Sequence, residues 1–114
     1  MKNNIKALSR GDILWVNFNP QQGSEIKNLH QAAILSSNGI NRARRTIVVV
    51  PLSSSAKPRP PIVVEVSSAG LTSVAVCDQI RAIDKSRIVK KVGSMSVADM
   101  KSISEAVTRI LVLQ

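Results

Sequence analysis

Sulfur, imidazole and aromatic side chains are scarce in this chain, which has one Cys, one His, one Trp, one Phe and no Tyr. The lone Cys77 excludes a disulfide framework within the chain and makes a reducing compartment the default. One His, with scattered carboxylates, matches no metal-ligand spacing, and a two-histidine acid–base pair within one protomer is excluded. With Trp15 and Phe18 as the only aromatics, the core must be aliphatic, and base-stacking platforms of the RNP or OB type are disfavoured. No Gly-rich phosphate loop occurs, which argues against nucleotide hydrolysis. No apolar run approaches the roughly 18 residues of a membrane span, and the first ten residues lack the apolar core of a signal peptide. A cytoplasmic location is the expectation.

Acidic residues are also few. Sixteen Lys and Arg stand against seven Asp and Glu, a formal charge of +9 with a pI near 10.7. A fold does not require that excess, whereas a polyanion rewards it through counterion release and steering. Nucleic acid is therefore the favoured partner class, with an acidic protein partner as the alternative. The 114 residues fit one domain spanning 1–114, and the 44% hydrophobic content is that of a globular chain.

The pattern of apolar residues predicts short strands. From Ile13 to Phe18, Leu14, Val16 and Phe18 share one face while Ile13 and Trp15 share the other. Asn19-Pro20 ends that strand, and Gln21 to Leu29 reads as a polar loop hinged at Gly23. His30 falls at the end of this loop, just before a small-residue strand at 32–36. A basic loop at 41–45 precedes Thr46–Leu52, a continuous apolar strand expected to be buried on both faces. Residues 53–61, with three prolines, read as a loop unable to pair in a sheet. Strands follow at 62–66 and 73–77, then a short one at 79–83 and a basic segment at 85–91. Ser96 and Asp99 form a capping-box variant ahead of an amphipathic helix with Met100, Ile103, Val107, Ile110 and Leu111 on one face. The expected fold is mainly β with a C-terminal helix, a small antiparallel barrel.

Several pieces in order carry a family resemblance: Arg10-Gly11-Asp12 with Trp15-Val16, Pro20, Gly23-Ser24-Glu25, residues 32–36, Val49-Val50-Pro51-Leu52-Ser53, Asp78-Gln79-Ile80-Arg81 with Ile83-Asp84, and Gly93 before a helix. The chain resembles the MazF/PemK (Kid) family of toxin endoribonucleases over almost its full length. That resemblance implies an SH3-like β-barrel with a C-terminal helix, a homodimer, and metal-independent cleavage of single-stranded RNA. It also implies a cognate acidic antitoxin occupying the RNA groove, with operator DNA reached only through the antitoxin complex, and no cofactor. Family members usually carry an Arg-Pro pair entering the second strand, where this chain has His30-Gln31. Ser53 stands where the family has a catalytic Thr or Ser, and Asp78 matches an acidic position of some members. Val76 occupies a place that in some relatives holds a second Arg. Related gyrase poisons share the barrel and act on a protein, and a binding module without cleavage is a further alternative.

Cleavage without a metal needs a base for the 2′-OH, an acid for the 5′-oxygen and a donor for the charge on phosphorus. His30, Ser53 and Glu25 are the catalytic candidates: an imidazole suited to carrying a proton, a hydroxyl, and a carboxylate. Arg42, Arg44, Arg45, Lys57, Arg59, Asp78, Gln79 and Arg81 are the candidates for binding RNA, in a groove beside loops 19–30, 38–45 and 53–61. Each has a plain structural alternative. His30 is equally a solvated side chain, Glu25 a loop anchor and Ser53 a turn former, and Asp78–Arg81 is expected to be a structural ion pair. Trp15 and Phe18 are assigned to the core or to dimer contacts, Cys77 to the core, and Lys85, Arg87, Lys90 and Lys91 to a basic rim.

Overall fold

A computed structural model describes residues 7–18, 29–68 and 73–113. Seven strands and two helices follow one another as β1 (Asp12–Asn17), β2 (Leu29–Ile34), α1 (Asn38–Ala43), β3 (Thr46–Ser53), β4 (Val63–Val66), β5 (Ser73–Val76), β6 (Arg81–Asp84), β7 (Ile88–Ser94) and α2 (Val97–Leu111). The ladder runs β4-β5-β3-β2-β1-β7, with β6 also on β3. All pairings are antiparallel. The ladder does not close between β4 and β7, an arrangement compatible with a small SH3-like barrel.

Strand β3 is the hub. It takes β2 on one edge and both β5 and β6 on the other, β5 beside Leu52–Ser53 and β6 beside Thr46–Val49. Alternating side chains divide the apolar residues between two clusters. Leu14, Val16, Ala32, Ile34, Ile47, Val49 and Ile83 gather on one face. Ile13, Ala33, Val50, Leu52 and Ala75 lie on the other, under Met100, Ile103 and Ala106 of α2. This is the burial on both faces expected of 46–52.

The start of β1 is a built corner. Gly11 has φ +94, open to glycine at little cost, and its N–H bonds to the Ile34 carbonyl at 2.8 Å. The buried Asp12 carboxylate accepts the Ser9 N–H at 2.8 Å and lies 3.4 Å from Lys91 Nζ. Helix α2 begins as its sequence suggests, with Ser96 Oγ accepting the Asp99 N–H at 3.0 Å. The Asp99 carboxylate turns outward to the end of β4, accepting the N–H groups of Ser67 at 3.0 Å and Ser68 at 2.9 Å and the Ser68 hydroxyl.

Burial raises the Asp99 pKa, but hydrogen bonds from the Ser68 side chain and the Ser67 and Ser68 amides outweigh it, and the net shift is downward. A depressed carboxylate stabilises the fold above its unfolded pKa, near 3.8, and that contribution fades as pH falls through the lower folded value. Asp99→Ala is expected to cost about 2 kcal/mol in urea melts at pH 7. The difference from wild type should shrink below pH 4, and a constant difference down to pH 2 would refute the assignment.

Several sequence expectations need correction. Within the basic loop expected at 41–45, residues 41–43 are instead the end of α1: Ser37 caps the helix by accepting the Ile40 N–H, Asn41 is buried, and only Arg44 and Arg45 connect it to β3. Residues 85–91 form a 3-10 turn, Lys85–Arg87, and then β7, whose lysines point out from a strand paired with β1. The short strand expected at 79–83 forms as β6, shifted to Arg81–Asp84, because Cys77–Gln79 is a 3-10 turn. Leu111 is 49% exposed, and Ala106 takes its place on the buried face of α2. The 53–61 stretch does make one bridge, Arg59 with Val63. The second strand starts at Leu29, because the β1–β2 register continues to Asn17↔Leu29. His30 is therefore a strand residue facing Val16.

Candidate active site

Two residues distant in sequence come together where β2 and β3 part. The pair Ala32↔Pro51 ends their ladder, and each further step back along β2 is a step forward along β3. Past that pair the two strands no longer bond to each other, and His30 of β2 and Ser53 of β3 both border the opening between them. Pro51 has no N–H to give, and beyond Ser53 the chain turns away through Ser54 and Ser55. A cleft of about 330 Å³ opens there. His30, Gln31 and Leu29 line it from β2, Leu52 and Ser53–Ser55 from the end of β3, and Trp15 and Ser73 complete it. Among the described residues no carboxylate lines it.

The Ser53 hydroxyl holds this turn. Its oxygen accepts the N–H of Ala56 at 3.0 Å and of Ser55 at 3.2 Å, and it lies 3.4 Å from Ser55 Oγ. With two backbone donors on its oxygen, the hydroxyl keeps its own proton to donate, either to Ser55 Oγ or to a group bound in the cleft. The turn role and a phosphate-donor role are thus compatible in one side chain.

On the Val16 face of the sheet, His30 lies beside Phe18, with ring centroids 6.0 Å apart and tilted 42°. The Arg81 guanidinium sits 4.8 Å from the Phe18 centroid. Arg87 Nη1 donates to the Phe18 carbonyl at 3.4 Å. Register explains the grouping, since Arg81 faces Val49, which shares its side with Pro51, Ala32 and Val16. Arg81 therefore does not pair with Asp78 as expected: its charge rests on the Phe18 ring. Phe18 is half-buried beside the Leu14 and Val16 cluster, while Trp15 is half-buried and faces the cleft.

The remaining candidates divide by position. Lys57 and Arg59 are exposed on the segment that leaves Ser53, with the Arg59 backbone fixed by bonds to Val63 of 2.8 and 2.9 Å. Asp78 and Gln79 are exposed on the 3-10 turn that carries the chain from β5 to β6. Cys77 beside them is buried, and burial, then the Asp78 charge, pushes its thiol up to about 11, so it is inert core. Arg42, Arg44 and Arg45 are not brought to the cleft. Arg42 lies in α1, Arg44 caps its C-terminus and Arg45 immediately precedes β3, an eight-residue strand whose seven steps span roughly 23 Å. Arg45 there pairs with Asp84 at 3.5 Å. Glu25 lies outside the described residues. Among those described, no three His, Cys, Asp or Glu side chains cluster as metal ligands.

The family model for the PemK-like, MazF-like toxins of type II toxin–antitoxin systems matches residues 9–111. The chain belongs to this family. It is 32% identical to the endoribonuclease MazF9 of Mycobacterium tuberculosis over 108 residues, covering 87% of this chain and 92% of that protein. It is 28% identical to the endoribonuclease MazF of Staphylococcus saprophyticus, covering 88% of each. A mycobacterial endoribonuclease solved with its cognate antitoxin superposes with a TM-score of 0.80 at 25% identity, over 95% of this chain and 98% of that one. MazF of Deinococcus radiodurans superposes at 0.78 with 24% identity over 93% and 97%, which is likeness of fold. Within this MazF-like frame, the Arg10-Gly11-Asp12 run builds the β1 corner rather than the cleft. Sequence reasoning passed over Gln31 and assigned Trp15 elsewhere, because only the β1–β2 register places the two on one face.

Proposed function

We propose that this chain is a toxin endoribonuclease that cleaves single-stranded RNA, with the scissile phosphate between His30 and Ser53, and that a cognate antitoxin neutralises it. The observation that carries this reading is the shared cleft of two residues 23 positions apart, in a family whose named relatives are endoribonucleases. The +9 charge favours a phosphate backbone, and no carboxylate among the described residues lines the cleft to oppose it.

In this scheme the 2′-oxygen bonds to the adjacent phosphorus as the bond to the 5′-oxygen breaks. The 2′-hydroxyl proton passes to a base, and the departing 5′-oxygen receives one from an acid. His30 takes one of these two steps, and Glu25 is the candidate for the other. The Ser53 hydroxyl donates to a phosphate oxygen, and the guanidinium of Arg81 and the charges of Lys57 and Arg59 offset the developing negative charge. Arg is the better permanent phosphate ligand and His the better proton carrier, so His30 in place of an Arg shifts the balance toward proton transfer.

Incubation of the purified protein with a defined RNA in EDTA tests the reading. The expected products carry 5′-hydroxyl and 2′,3′-cyclic phosphate ends and persist in chelator. Salt-sensitive binding without products would favour the binding-module alternative instead. An acidic antitoxin tail in the cleft should block both binding and cleavage. We expect a cytoplasmic homodimer, which sedimentation would register, in keeping with the exposed Val89 and Val92 on the unpaired edge β7. Operator DNA is expected to bind only the complex with antitoxin.

A further inference from the structure

A row of three side chains crosses the sheet behind the proposed reaction centre. Trp15 pairs with Gln31 on β2 and with Lys90 on β7, so all three project from the same face of the sheet. Neighbouring strands lie about 4.8 Å apart, so the row spans roughly 10 Å. Trp15 and Gln31 both line the 330 Å³ cleft and both are half-buried. Among the described residues, neither the indole N–H nor the Gln31 carboxamide has a hydrogen-bond partner. Half-buried polar groups are free to bond water or a ligand. Two adjacent ones without partners, walled by Leu29 and Leu52, form an apolar slot with convergent polar handles.

We propose that this row is a nucleobase-reading subsite: the Trp15 indole stacks on one base of the RNA, Gln31 reads that base's edge, and Lys90 holds a neighbouring phosphate. The carboxamide offers a donor beside an acceptor, the pattern that matches the hydrogen-bonding edge of a base. An indole face is tolerant of base identity and supplies affinity, so selectivity falls to Gln31. The side chains of β2 then divide the work by alternation. His30 and Gln31 alternate along β2 yet both line the cleft, His30 being offered to the chemistry and Gln31 to the base. The proposal rests on the reading of the chain as a ribonuclease and adds to it the residues that choose the sequence.

Trp15 is the only Trp, so its emission reports on this slot directly. A short RNA made uncleavable by a 2′-deoxy sugar at the cut site should quench it, and an abasic sugar at the read position should abolish the quench. Gln31→Leu, which keeps the volume and removes the polar edge, should change relative kcat/KM among RNAs differing at one nucleotide by about tenfold. Trp15→Leu should raise KM for all of them, with Trp15→Phe partly restoring it. Unchanged cut-site preference in Gln31→Leu, or tight binding by anisotropy with no change in emission, would overturn the subsite while leaving the ribonuclease intact. Absence of products from every RNA in wild type would instead count against the ribonuclease, and the quench by uncleavable strand would still decide the subsite.

Discussion

Replacing His30 with alanine is expected to slow RNA cleavage by about 10²- to 10⁴-fold, the usual contribution of a positioned general acid or base. His30 is exposed, and its described side-chain contact is the tilted Phe18 ring at 6.0 Å. Truncation should therefore leave stability within about 0.5 kcal/mol of wild type, and the loss can be read as chemistry. Single-turnover rates with saturating RNA separate it from a binding defect. The loss should appear in kcat, with KM little changed, because imidazole contributes mainly as the proton moves. Ser53→Ala should be milder in rate but less innocent in structure, since it also releases the Ser55 and Ala56 amides. Full cleavage by His30→Ala would remove the imidazole from the mechanism and leave the Arg81 cluster as the nearest cationic alternative.

The second large effect is on stability. Ile103 is fully buried where α2 crosses the sheet, in the cluster with Ile13, Val50, Leu52 and Cys77. Ile103→Ala removes three heavy atoms from a packed interface and should leave a cavity, costing about 2–5 kcal/mol. Alanine is the better helix former, which returns only a few tenths of a kcal/mol. The neighbouring Met100 is flexible enough to fill part of the space, so about 3 kcal/mol is the expected result. Against a total of roughly 5–15 kcal/mol that is a large fraction. Urea unfolding should show the midpoint falling at constant slope. A loss below about 1 kcal/mol would mean that α2 is docked more loosely than its burial implies.

The strands that were legible in sequence share one property: each presents an apolar face with a clear two-residue period or a continuous apolar run. β1, β3, β4 and β5 are of that kind, and α2 announces itself through Ser96 and its spaced apolar residues. β7 was missed because Lys90 and Lys91 break its alternation. The register shifts against β1 explain why: an extra residue in the strand changes which side chains face inward. α1 was missed because six residues carry too little periodicity to stand out from a basic loop. In the site, His30 and Ser53 were chosen by residue type and family likeness. The arginines of 42–45 were drawn in by charge alone, and the length of β3 carries them to the far end of the sheet.

By itself the sequence determined the chemistry on offer: a single imidazole, a hydroxyl-rich turn after Pro51, an aliphatic core and a strong positive charge. Those follow from composition and local pattern, which require no knowledge of what lies across the sheet. Tertiary structure alone decided which groups meet, because antiparallel register is a long-range property. It brings His30 and Ser53 to one cleft, rests Arg81 on Phe18, and lines up Gln31, Trp15 and Lys90 on one face of the sheet. A slip of one residue in that register would turn each β2 side chain to the other face, separating the same residues without changing a letter of the chain.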